Sequence, residues 1–157
     1  MLSQEDLLKI LQLVAEINTN IYHDFSLVAV RREDGRFLQK YDEDWKCWLF
    51  PYYRTTDNNK TDIEKNVEND LDLTCDISYV TVAEHCKYSV RDDVYKRYKH
   101  KLYKIELKNI SETMMESEFE ISKTRYKWMS IEEMEEDQEL MDKNDEIVAF
   151  VKKNIEN

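Results

Sequence analysis

One glycine in 157 residues is the feature that most restricts what this chain can become. An average composition of about 7% would supply roughly eleven. Glycine takes positive φ without steric cost and lets a backbone close around a phosphate. With Gly35 alone, neither a P-loop nor a dinucleotide-binding fingerprint can be built. Gly35 follows Asp34 between two apolar runs, residues 25–30 and 37–41, and so marks a β-hairpin. The one proline is as informative: Pro51 closes the apolar run 45–50, because it lacks the N–H that a further ladder bond needs.

Hydrophobic residues make up 41% of the chain, and the length suits one domain, residues 1–157, with a substantial core. The net charge of −11 argues against a general nucleic-acid binder or a binder of anionic membranes. No apolar run approaches the roughly 18 residues of a membrane span. The start Met-Leu-Ser-Gln-Glu-Asp has no basic region of the kind that opens a signal peptide. Cys47, Cys75 and Cys86 are odd in number and lack Cys-x-x-Cys spacing, so reduced thiols in a cytoplasmic protein are expected.

Along the chain, Ser3-Gln4-Glu5-Asp6 reads as a capping box. Leu7, Ile10, Leu11, Val14 and Ile17 then give a helix over about 4–18 (within residues 1–20) with one buried stripe. After the hairpin and the 45–50 strand, Thr61-Asp62-Ile63-Glu64 predicts a second capped helix, with Ile63, Val67 and Leu71 as its buried face. Ile77, Tyr79 and Val82 mark a strand, and Tyr103, Ile105 and Leu107 alternate with charges as another. Residues 111–117 read as a loop and 126–129 as a strand, which runs into a third capping box, Ser130-Ile131-Glu132-Glu133. A last helix is expected from about Asn144 (residues 143–157), burying Ile147, Val148, Val151 and Ile155. The order is α+β, compatible with a mixed sheet between helices.

Phe50-Pro51, a polar stretch, a helix carrying Asn66, Asn69 and Asp70, and Leu71-Asp72-Leu73 together resemble the Nudix hydrolase family, whose box ends Arg-Glu-aliphatic-x-Glu-Glu-x-Gly-aliphatic. Counting back from Leu73, Lys65 takes the arginine position and Asn66 the first glutamate. Asn69 and Asp70 take the glutamate pair, and Asp72 takes the glycine. By spacing the upstream glutamate becomes Asp57, and Tyr52 and Tyr53 stand where glycines follow Phe-Pro. The stretch Trp128-Met129-Ser130 is similar to the family's strand-to-helix ending.

The resemblance implies a Nudix-like α/β/α sandwich with a mixed sheet, plus N- and C-terminal helices, and a cleft for a nucleotide-like ligand. Family members cleave nucleoside diphosphate derivatives with magnesium or manganese. Here two of three glutamate positions carry a neutral amide, which leaves Asp70 as the main carboxylate for metal, with Glu64, Glu68 or Asp72 as the acids that would help it. The expected protein is a degenerate Nudix domain that senses a nucleotide-like ligand or docks a protein partner. A divergent pyrophosphohydrolase using Mg or Mn is the alternative. Tyr52, Tyr53, Arg54, Arg91 and Arg97 are the candidate ligand contacts. The two tyrosines would narrow the cleft, stack on a base, or simply pack. Lysines and arginines interleaved with tyrosines over residues 87–108 are the candidate anion surface, with pairing to nearby acids or a solvated strand edge as the alternatives. The acidic run from Glu132 to Asp137 reads as a solvated face or a dock for a basic partner.

Overall fold

The computed structural model describes residues 2–18, 23–89 and 93–156. Eight strands form one sheet: β1 (His23–Arg31), β2 (Phe37–Asp42), β3 (Cys47–Leu49), β4 (Tyr52–Arg54), β5 (Ser78–Ser89), β6 (Val94–Glu106), β7 (Glu118–Ile121) and β8 (Thr124–Met129). The main order is β5-β6-β1-β2-β8-β7, with β3 added to β2 and β4 to β1. Strands β1 and β6 run parallel and the other pairs antiparallel, so the sheet is mixed. Residues 27–30 explain its central place. Leu27 through Val30 are all buried, the continuous apolar run of a strand covered on both faces.

Strand alternation splits that run between two cores. Val28 and Val30 join Leu38, Tyr103, Ile105 and Trp128 beneath helix α2 (Asn59–Leu71). Leu27 and Ala29 join Phe37, Phe50 and Leu102 beneath α4 (Ile131–Glu136) and α5 (Gln138–Val151). Helix α2 buries Ile63, Val67 and Leu71, as its spacing predicts. This is the α+β, helix–sheet–helix arrangement expected from the sequence. No helix among the described residues is long and apolar enough to cross a membrane.

Several expectations need correction. Thr61 does not cap α2: the helix begins at Asn59, and Asn58 in the cap position makes no side-chain cap bond. Tertiary bonds hold the extra turn instead, since the Asn59 amide donates to Ser26 Oγ at 2.8 Å and to Tyr103 Oη at 2.9 Å, while its oxygen accepts from Thr56 N. Strand β3 starts at Cys47, because Asp42 Oδ1 accepts from the Asp44 and Trp45 amides and folds that segment into a turn. Residues 111–117 are not a loop throughout. Ser111 caps α3 (Glu112–Met115), whose Met114 is buried, and β7 follows.

The last helix starts at Gln138, where Asp137 caps it through Leu140 N, and it kinks at Asn144 (φ −143°, ψ 23°). Ile147, Val148 and Val151 are buried, and Ile155 packs half-buried in a π-helical turn, Lys152–Glu156. In the N-terminal helix α1 (Gln4–Asn18), Ser3 and Asp6 exchange both capping-box bonds. Its expected buried stripe is not observed at Leu7, Ile10 and Leu11, which are 41–47% exposed, because α1 meets the sheet at β6 and these side chains join neither core.

The scarcity of glycine is visible in the backbone. Lys46, Asp72, Asp93, Ser122 and Lys123 all adopt positive φ, and Gly35 (φ 88°) makes the β1–β2 turn. A non-glycine residue in the left-handed region costs roughly 1–2 kcal/mol, and Asp tolerates it better than most.

Candidate functional site

Strand β4 follows Pro51 and pairs with β1, Tyr52 opposite Leu27 and Tyr53 opposite Ser26. Alternation therefore sends the two tyrosines to opposite faces of the sheet. Tyr53 turns toward α2 and packs against its core, and its hydroxyl donates to Asp70 Oδ2 at 2.7 Å. Burial raises the Tyr53 phenol well above its ordinary value, and the bond to Asp70 adds to the shift. Tyr126, from β8, is pushed up to about 12 by burial and by the Asp70 charge. Behind these rings lies a cavity of only about 10 Å³, room for one water at most, bordered by Tyr53, Val67, Asp70 and Tyr126.

A second cavity of about 190 Å³ adjoins it, lined by Lys40, Asp42, Leu49, Phe50 and Tyr52. Lys40 and Tyr52 border both spaces. Tyr52 donates to Asp42 Oδ2 at 3.2 Å, and its phenol is raised by burial and then by the Asp42 charge. The two carboxylates at this cleft are thus each held by a tyrosine.

The other positions singled out in the sequence separate. Lys65, Asn66 and Asn69 lie exposed on α2. Asp72 ends the helix with φ 52° and ψ 48°, the left-handed conformation that a glycine commonly supplies at this point. Arg54 is exposed at the end of β4. Arg97 pairs with Cys86 far along β6, five residues from Leu102, the residue that faces Leu27 and so the Tyr52 row. At about 3.3 Å per residue, that is on the order of 17 Å from the cleft, so Arg97 is not part of it. Arg91 lies outside the described residues. The acidic run is partly engaged: Glu133 completes its capping box and pairs with Arg36 at 2.9 Å, and Glu135 pairs with Lys152.

The donor set does not fit a magnesium or manganese ion. Asn66 and Asn69 offer neutral amides, and Asp70 is engaged by Tyr53. Glu64 and Glu68 cannot assist, since at 3.6 residues per turn they stand roughly 120–160° around the axis from Asp70. They border Cys75 instead, whose thiol is pushed up to about 11 by burial and by Glu68, Glu64 and Asp76. Among the described residues, no group of three His, Cys, Asp or Glu is placed to hold a metal.

Sequence reasoning missed Lys40, Asp42 and Tyr126. Lys40 and Tyr126 read only as positions in alternating strands, and Asp42 as part of a break before the next one. Which strands they would border was not written locally.

No protein-family model matches the chain, and no curated protein matches it in sequence. Solved structures do match in three dimensions. The Ap4A hydrolase of C. elegans aligns with a TM-score of 0.54 at 12% identity, over 85% of this chain and 96% of that one. The MutT protein of Methanosarcina mazei Go1 aligns with a TM-score of 0.59 at 13% identity, over 84% and 94%. The NUDIX domain of Shewanella oneidensis NrtR, complexed with ADP ribose, aligns at 0.54 and 7%, over 86% and 88%. At these identities the likeness is one of fold, and the mixed sheet between α2 on one face and α4 and α5 on the other is a Nudix hydrolase-like fold.

Proposed function

We propose that this chain is a Nudix-fold module that binds a nucleotide-like ligand and does not hydrolyse it. The observation that carries the reading is the 2.7 Å bond from the Tyr53 hydroxyl to Asp70, the one carboxylate left at the three glutamate positions. A metal there would meet a single carboxylate charge, one of whose oxygens already accepts the Tyr53 hydroxyl. Magnesium held through one or two carboxylates relies on substrate phosphates and water to complete its shell. The left-handed Asp72 supports the register that makes Asn66, Asn69 and Asp70 the box positions. The NrtR NUDIX domain complexed with ADP ribose makes that compound a reasonable first probe.

The test is incubation with ADP-ribose, Ap4A and other nucleoside diphosphate derivatives in magnesium or manganese. The expected result is no turnover. Manganese-stimulated hydrolysis that disappears in Asp70→Ala would instead establish the competing reading, a divergent metal-dependent pyrophosphohydrolase. A second non-catalytic reading, docking of a protein partner, is favoured by α1, where Leu7, Leu8, Ile10 and Leu11 stand exposed. Loss of partner capture on replacing these leucines, with ligand binding intact, would assign that role to α1.

A further inference from the structure

The sheet has two open ends, and they carry opposite charge. Strand β5 closes one end and pairs with β6 alone, while β7 closes the other and pairs with β8 alone. Among the described residues, no backbone bond outside these ladders engages residues 78–84 or Glu118–Ile121. Each edge therefore presents a row of strand donors and acceptors to a further strand. The β5 edge is uncharged over residues 78–83 and exposes Tyr79 (54%) and Val82 (40%). A bulge between Tyr79 and Thr81 puts both side chains on the α2 face, opposite Tyr103 and Lys101. Behind this edge, β6 carries Lys96, Arg97, Lys99, Lys101 and Lys104. Asp24 and Glu84 stand opposite Lys99 on the neighbouring strands and Glu106 ends β6, so the row stays net positive. The β7 end is the converse. Residues 109–122 include Glu112, Glu116, Glu118 and Glu120 and no Lys or Arg. Glu118 pairs with Arg125, and Glu116 and Glu120 stand exposed. Phe119 and Ile121 alternate with the glutamates and turn to the α2 side.

We propose that the β5 edge of one copy of this chain receives the β7 edge of another, so that the sheet continues from molecule to molecule. With α2 on the same side in both copies, Phe119 and Ile121 fall beside Tyr79 and Val82. Glu118 and Glu120 fall on the opposite side, with Thr81 and Ala83. Apolar neighbours thus meet apolar ones, and no like charges face each other. Strands lie about 4.8 Å apart, so the β6 cations stand two spacings, about 10 Å, from the incoming glutamates. That is close to one screening length at physiological salt, so the attraction is real and salt-sensitive. Charge also works against the other pairings: two β5 edges bring cations together, and two β7 edges bring glutamates together. A contact between unlike edges is head-to-tail, and such contacts build rings or open chains rather than two-fold dimers. The contact does not depend on what the cleft binds.

The experiment is sedimentation equilibrium of the full chain over a range of concentrations, in low and in high salt. The apparent mass should rise with concentration above the 19.1 kDa of one chain. Association should weaken at least about ten-fold between about 50 mM and about 500 mM salt. Val82→Glu puts a carboxylate on the receiving edge, and Glu120→Lys reverses a charge on the donating one. Each should weaken association at least about ten-fold, and since both positions are exposed, urea midpoints should stay near that of the parent. An equal mixture of the two variants should associate again, because the first keeps its β7 edge and the second its β5 edge. That recovery also shows that both variants are folded. A chain that stays monomeric at every concentration overturns the inference. So does association that neither variant weakens, or that Leu11→Ser abolishes while the edge variants do not, which moves the contact to α1. Weakening by only one of the two variants means one edge pairing with its own copy, and overturns it as well.

Discussion

The two helix entries that flank the sheet, α2 and α4, solve the same problem by different means. Both follow a strand and a short connection. At α4 the solution is local: Ser130 Oγ accepts from Glu133 N at 3.1 Å, Glu133 returns the bond to Ser130 N, and Arg36 secures the carboxylate. At α2 no side chain caps the helix, and Asn59 is anchored by Ser26, Tyr103 and Thr56 from three other segments. A local cap needs only residues three apart, so it is written in the sequence. A tertiary anchor ties the helix to the strands beneath it and fixes where Asp70 meets Tyr53. The region that resembles a catalytic box is therefore the one whose geometry depends most on distant contacts.

The largest effects test whether both helices are equally part of the core. Ile63→Ala under α2 and Leu140→Ala under α5 should each cost about 2–5 kcal/mol in urea unfolding. Both side chains are fully buried. A cost well under 1 kcal/mol for Ile63 would mean that the box helix is only loosely attached, and the contrast would collapse.

Next comes the anchor against the cap. Asn59→Ala should cost about 1–3 kcal/mol, because Ser26 and Tyr103 lose a buried partner. Ser130→Ala should cost about 1 kcal/mol, the usual loss for an N-cap. The reverse order would show that α2 does not rely on its tertiary anchor.

A smaller gain is expected at the other end of α2. Asp72→Gly removes a left-handed cost of roughly 1–2 kcal/mol and adds chain entropy of roughly 0.5–1 kcal/mol to the unfolded state. The net should be a stabilisation of about 0.5–1 kcal/mol, read as a raised urea midpoint. Unchanged or lower stability would mean that the Asp72 side chain favours its own turn.

The two regions should also fail at opposite ends of the pH scale. Near α2, the Tyr53 and Tyr126 phenols are raised, mainly by burial, so the folded state keeps protons that the unfolded chain releases above about pH 10. Stability therefore falls as pH rises beyond that point, for Tyr126 up to its folded value of about 12. At α4, Glu133 is lowered, first by the Ser130 amide and then by Arg36, so its contribution is present above the ordinary carboxyl value and lost as pH falls through the folded one. Urea midpoints against pH should show Tyr53→Phe flattening the alkaline limb only, and Glu133→Gln the acid limb only. Movement of both limbs in either variant would break the assignment.

Much of this protein is legible without coordinates. The Ser3 and Ser130 boxes, the Ile63-Val67-Leu71 stripe, the stop at Pro51 and the hairpin at Gly35 all rest on interactions within a few residues, where spacing and side-chain type suffice. Asp72, at the left-handed end of α2, stands where the resemblance expects a glycine. The tertiary structure alone decided the rest. It moved the start of α2 from Thr61 to Asn59, set Tyr53 against Asp70, left the α1 leucines uncovered and brought Lys40 to a cavity between strands. Each of those outcomes depends on which distant segment packs alongside. A hydroxyl bonds the acceptor that the sheet register presents to it, and that register is a property of the whole fold.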